Sequence, residues 1–173
     1  MRARVVLVGA RGAGKSSVGP VLAARLGVSF VDTDRLVEEQ AGRPLGEVWA
    51  AGEFREREAR ALEQALATPS AVVAAGGGAV LWAGFAAAVK GWTVVWLDAA
   101  PEVLAGRIRK DPRERPSLTG RPAAEEIGEV ARSRAHLYAA VASARVATDR
   151  LAVDAVAEEI ERVVHATTRG KAD

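Results

Sequence analysis

Short apolar runs alternate along this chain with segments whose apolar residues recur at helical spacing. Ala3–Val8 is an apolar run of the kind expected for a strand covered on both faces. Lys15–Leu26 follows, with Val18, Val21, Leu22 and Leu26 at helical spacing, and stops at Gly27. Val28–Val31 predicts a second strand that runs into Asp32-Thr33-Asp34. From Arg35 to about Thr68 the pattern predicts helix, interrupted at AGRPLG. Ala71–Ala75 predicts a third strand leading into Gly76-Gly77-Gly78, and Thr93–Leu97 a fourth that ends at Asp98. Pro101–Arg109 suits a helix with proline in its first turn. Ala123–Ala142 is a long helical stretch, Ala144–Ala147 a fifth short strand, and Asp154–His165 a closing helix, with residues 168–173 a frayed tail.

Strands that alternate with helices pair in parallel through right-handed crossovers. The expected fold class is therefore α/β, with three layers and a central five-stranded parallel sheet flanked by helices. No repeat, linker or composition shift divides residues 1–173, which read as one domain. In such sheets ligands bind at the carboxyl ends of the strands. Gly9, Asp32, Asp34 and Gly76–Gly78 all fall there, although the strands rest on apolar runs alone.

Composition narrows the class. With 49% apolar and 27% charged residues the chain reads as globular and water-soluble. A net charge of only +2 gives no reason to expect a nucleic-acid partner, despite a sequence pI near 9.4. Cysteine is absent, which removes disulfides and thiolate metal sites and fits a reducing, cytoplasmic setting. No apolar stretch reaches membrane-spanning length, and the N-terminal one is too short for a signal peptide.

The candidate chemistry begins at GARGAGKS, Gly9–Ser16, which satisfies the phosphate-loop spacing G-x-x-x-x-G-K-S between a strand and a helix. Such a loop lets Gly12, Ala13, Gly14 and Ser17 turn backbone N–H groups toward a nucleotide's phosphates at a helix N-terminus. Lys15 is expected to reach the β- and γ-phosphates of ATP, and the Ser16 hydroxyl to ligate Mg²⁺. The dinucleotide pattern G-x-G-x-x-G fails, because Ser17 stands where the third glycine belongs. Asparagine is absent from the chain, which removes the Asn-Lys-x-Asp guanine reader and the protein-kinase catalytic loop. A small-molecule kinase is the economical reading. Asp32 and Asp34 alternate onto one side of an extended segment. Asp32 is placed to hold Mg²⁺ through water, and Asp34 to orient or deprotonate an acceptor hydroxyl. Asp34 also stands where it would cap a helix beginning at Arg35.

GARGAGKS, DTD, the Phe-Arg of GEFREREARAL, GGG and Arg-Pro in an arginine-rich segment, in this order, resemble shikimate kinase over about residues 4–160. The resemblance implies ATP-dependent phosphorylation of the 3-hydroxyl of shikimate by a monomer. It implies that Arg55 and Arg134 grip the substrate carboxylate as guanidinium forks. Gly76, Gly77 and Gly78 would then let the backbone approach the ring, with Gly77 donating to it. By itself, Arg55 within REREAR reads as a solvated helix charge, and the glycines as a turn.

Between Arg107 and Arg121 six basic residues face two acidic ones, and a mobile lid over about 107–122 is the expectation. Within it the resemblance matches Arg115 to the lid arginine and Arg107 to a packing partner of adenine, with Arg150 also near the base. The chain departs from the family at Ser117 in Arg115-Pro116-Ser117-Leu118, where leucine is usual, at a second Arg-Pro, Arg121-Pro122, and at His136, where proline is common. Two other readings stay open at this level. One is a related kinase for another polyol acid or a nucleoside monophosphate; the other is a nucleotide-binding module without catalysis.

Overall fold

The structure is a computed structural model that describes residues 3–111 and 116–169. Five strands, β1 (Arg4–Val8), β2 (Ser29–Asp32), β3 (Ala71–Ala74), β4 (Thr93–Asp98) and β5 (Ala144–Ala147), form one parallel sheet in the order β2-β3-β1-β4-β5. The expected α/β class and five-stranded parallel sheet are both present. From β1 the chain moves outward to β2, returns to β3, then crosses to β4 and β5 on the other side. The order therefore reverses at β1, and its carboxyl end is the switch point at which such sheets bind ligands.

β1 shows why its residues are apolar without interruption. Val5 and Leu7 face one side of the sheet and Val6 and Val8 the other, and all four are buried. On the first side they meet α1 (Lys15–Leu26) through Val18 and Leu22, α6 (Pro101–Lys110) through Leu104, and α8 (Val153–Arg169) through Val156 and Ile160. On the second they meet Leu62 and Leu66 of α4 (Phe54–Leu66), Phe85 of α5 (Phe85–Ala88) and Tyr138 of α7 (Ala123–Val141). A smaller cluster joins Val37 of α2 (Thr33–Ala41), Leu45 and Val48 of α3 (Leu45–Ala50), and Phe54 and Ala61 of α4.

Several boundaries depart from the sequence expectation. The helical stretch after β2 is broken twice, not once: after AGRP comes a second stop at Ala51-Gly52, where Gly52 takes φ +75°. That left-handed backbone ends α3 and lets α4 start in a new direction. The closing helix is longer than the expected Asp154–His165, since α8 spans Val153–Arg169; residues 170–173 lie outside the described residues. Arg107–Lys110, at the start of the stretch expected to form a lid, are the last residues of α6.

Candidate active site

The phosphate loop leaves β1 at Gly9, whose φ of +143° and 2.3 Å approach of a would-be Cβ to Leu97 O admit only glycine. The loop then lies across the carboxyl end of β4 and enters α1 at Lys15. Lys15 Nζ donates to Gly9 O at 2.6 Å and Ala10 O at 3.0 Å, so the ammonium is held over the mouth of the loop by the loop's own carbonyls. Ser16 Oγ donates to Asp32 Oδ2 at 2.5 Å, bringing the two expected metal-binding residues together. Asp32 Oδ1 accepts from the N–H groups of Asp34 and Arg35 and caps α2, which begins at Thr33. This corrects the expected capping role of Asp34. The carboxylate that ends β2 satisfies the first helical N–H groups, and Asp34 in the first turn is left to face the crevice.

That crevice is a cavity of about 470 Å³ lined by Gly12–Val18 of the loop and first turn, by Asp32, Asp34 and Gly77, and by Arg107, Thr148 and Leu151. Its donor set suits Mg²⁺. A hydroxyl and a carboxylate are hard oxygen ligands, and a hexacoordinate ion would complete its shell with phosphates and water. No group of three or more His, Cys, Asp or Glu residues suited to a metal occurs among the described residues.

The Gly76–Gly78 bend after β3 is where the remaining charges meet. A Cβ on Gly76 would stand 2.4 Å from Glu58 Oε1 and 2.7 Å from Asp34 Oδ1, and one on Gly78 would stand 2.2 Å from Arg55 Nη1. Arg55 and Asp34 approach the backbone as closely as they do because these positions have no side chain. Gly76 N donates to the buried Thr33 Oγ1 at 3.0 Å, fixing the bend to the start of α2. Gly77 O accepts from Arg134 Nη1 at 3.0 Å and from Tyr138 Oη at 2.6 Å. Its carbonyl is thereby committed to α7, and both arginines flank the same bend.

Sequence reasoning passed over Glu58. It is 3% exposed, accepts from Arg55 Nη1 at 2.6 Å, and its Oε1 has no hydrogen-bond partner among the described residues. Burial pushes its pKa up, and Asp34 adds to this, while Arg55 and Arg134 pull the other way. Burial likewise raises Tyr138 to about 12, so its phenol stays a donor to Gly77 O. Glu58 lies three residues after Arg55, one helical turn on, and that spacing within REREAR was the available signal. Arg55 also lies 5.1 Å from the centre of the Trp49 ring, so aromatic packing from α3 helps hold its guanidinium.

At the other end, Arg107 is turned inward, donating to Gly12 O and to the Thr148 hydroxyl and carbonyl. Arg150 is exposed and is not among the residues lining the cavity, where Leu151 stands instead. Arg115 lies outside the described residues. Directly after it, Pro116 O accepts from Arg11 of the phosphate loop at 2.6 Å, and buried Glu126 accepts from Ser117, Leu118 and Thr119.

With this geometry in place, comparison with known proteins is informative. A family model described as shikimate kinase matches residues 11–165. A shikimate kinase of Symbiobacterium thermophilum is 44% identical over 173 residues, covering 96% of this chain and 99% of that protein. A shikimate kinase 2 of Dickeya chrysanthemi is 47% identical over 144 residues, 80% of this chain and 83% of its own length. Among solved structures, shikimate kinase from Acinetobacter baumannii in complex with shikimate superposes with a TM-score of 0.89 at 29% identity. It covers 96% of this chain and 95% of that one.

Proposed function

The chain belongs to the shikimate kinase family, and we propose how its own residues divide the work of that reaction. It phosphorylates shikimate on the 3-hydroxyl at the expense of ATP, giving shikimate 3-phosphate and ADP. The observation that carries the residue assignment is the single crevice at the carboxyl end of β1, which Lys15, Ser16, Asp32, Asp34 and Gly77 all line.

ATP binds along the phosphate loop, its phosphates meeting the N–H groups around Gly12–Ser17 at the positive end of α1. Lys15 exchanges its carbonyl partners for the β- and γ-phosphates, where a cation gains most as charge shifts during transfer. Ser16 and Asp32 would hold Mg²⁺, which when bound neutralises charge across the same phosphates. Arg55, Arg134 and Gly77 fix shikimate, the two guanidinium groups receiving its carboxylate. Asp34 orients the 3-hydroxyl. As that oxygen bonds to the γ-phosphorus and the bond to the β–γ bridging oxygen breaks, Asp34 accepts the hydroxyl proton. The chain acts as a monomer in the cytoplasm; no described helix is long and apolar enough to cross a membrane.

The test is ADP release from ATP and Mg²⁺ with and without shikimate. Turnover that depends on shikimate is expected. ADP release indifferent to shikimate would overturn the acceptor assignment.

A further inference from the structure

Thr148 is the first residue after β5 and is 3% exposed. Its hydroxyl accepts from Arg107 Nη1 at 2.9 Å and lies 3.1 Å from Ala13 O and 3.3 Å from Asp98 O. With one proton to give, it donates to one carbonyl at a time, and the shorter contact is to the phosphate loop. Its backbone is committed as well: N–H to Asp98 O at 2.8 Å, and carbonyl accepting from Arg107 Nη2 at 2.6 Å. Arg107 Nη1 closes the circuit on Gly12 O at 3.0 Å. One buried side chain thus joins the end of β4, the inner face of α6 and two successive carbonyls of the phosphate loop.

We infer that Thr148 is a positioning residue for the nucleotide. In a planar trans peptide the C=O and the following N–H point in opposite directions. Holding Ala13 O against Thr148 therefore turns the Gly14 N–H away from Thr148, on the side of the loop that opens toward phosphate. The same hydroxyl fixes the Arg107 guanidinium, which lines the cavity beside it. The phosphate-binding backbone and the arginine wall of the cavity are held in one geometry before the nucleotide arrives, so the ordering is not charged to binding. None of the circuit's hydrogen bonds reaches the Gly76–Gly78 bend, so its main effect falls on the nucleotide.

This rests on the phosphate loop being the ATP site. Thr148→Val keeps the shape and removes the hydroxyl, taking from Ala13 O its buried donor and from Arg107 one of its three acceptors, with Gly12 O and the backbone carbonyl of residue 148 remaining. KM for ATP is expected to rise about tenfold, the equivalent of about 1.4 kcal/mol, with KM for shikimate unchanged within twofold. Thr148→Ser, which keeps the hydroxyl, should restore KM for ATP. ADP binding by calorimetry, without shikimate, should weaken by the same factor in Thr148→Val, and this arm decides the matter even if shikimate proves not to be the acceptor. Unchanged ADP affinity in Thr148→Val, or equal loss in Thr148→Ser, would overturn the assignment. Should Thr148→Val not fold, Thr148→Ala is read in the same calorimetric assay by the same criteria.

Discussion

At the phosphate-loop end of the crevice, Gly9–Ser17 offers backbone N–H groups and Lys15 to an anion, and the cavity wall adds Arg11 and Arg107. Beside it, at the proposed acceptor end, Asp34, Arg55, Glu58, Arg134 and Tyr138 come from α2, α4 and α7 onto the Gly76–Gly78 bend. The first end is built from dipoles that the fold aligns in any case, and its lysine rests on carbonyls of its own loop. The second carries ionised groups of both signs around a buried carboxylate, where every member sets the cost of the others. Replacing Lys15 at the phosphate end should therefore cut turnover with little effect on stability. A substitution at the acceptor end should alter binding and stability together.

The largest expected effect tests the first half of that contrast. Lys15→Ala should lower kcat by about three orders of magnitude, the scale of losing a cation aimed at developing transition-state charge. The melting temperature should move by no more than about 2 °C, because Lys15 is a part-buried side chain whose ammonium meets carbonyls of its own loop. Steady-state kinetics and a thermal melt on one preparation give both numbers. Turnover within tenfold of the parent would remove Lys15 from the chemistry.

A smaller effect is expected at Arg55. Arg55→Ala should raise KM for shikimate by about 50-fold, as for a lost charge-assisted pair, with KM for ATP unchanged. It also strands Glu58, whose Oε2 then has no guanidinium to meet. The contrast is sharpened by Arg55→Ala with Glu58→Gln: the second change should recover the melting temperature lost in the first, and leave KM for shikimate high. If the double variant melts no higher than Arg55→Ala, the buried carboxylate is not what the arginine compensates.

The same contrast explains what was legible in the sequence. The phosphate loop is contiguous, and its glycines and lysine sit at fixed spacing between an apolar run and a helical stripe, so motif and fold class support each other. β5, Ala144–Ala147, was equally readable from its own residues. Arg55 and Arg134 needed the family resemblance, because a guanidinium on a helix reads as solvated until the Gly76–Gly78 bend is placed beside it. Glu58, beyond its one-turn spacing from Arg55, and Thr148 were hidden for a deeper reason. Their significance is burial, and burial at these positions depends on elements far along the chain, Gly76 for one and Ala13 for the other. The cap of α2 was misassigned by two residues, since Asp32 and Asp34 are both acceptable caps and only the point where β2 turns decides between them.

The smallest expected effects set two buried carboxylates against each other. Glu126 belongs to the phosphate side, where it holds Ser117–Thr119 next to the Arg11–Pro116 contact. Burial alone would raise its pKa, but the donors from Leu118, Thr119 and Ser117 together outweigh burial and lower it. Its contribution to stability is thus complete above the unfolded value of 4.5 and is lost as pH falls through the lower folded value. Glu58 is raised, so its contribution is complete below 4.5 and declines as pH rises through the higher folded value. Glu126→Gln should cost about 1–2 kcal/mol near neutrality, or about 4 °C in melting temperature. That deficit should shrink on acidification. The parent's melting temperature minus that of Glu58→Gln should move the other way, falling as pH is raised above 4.5. Melts of the three proteins across pH 4 to 8 should therefore give opposite slopes, and parallel slopes would mean that the two ends of the crevice hold their carboxylates by the same physics after all.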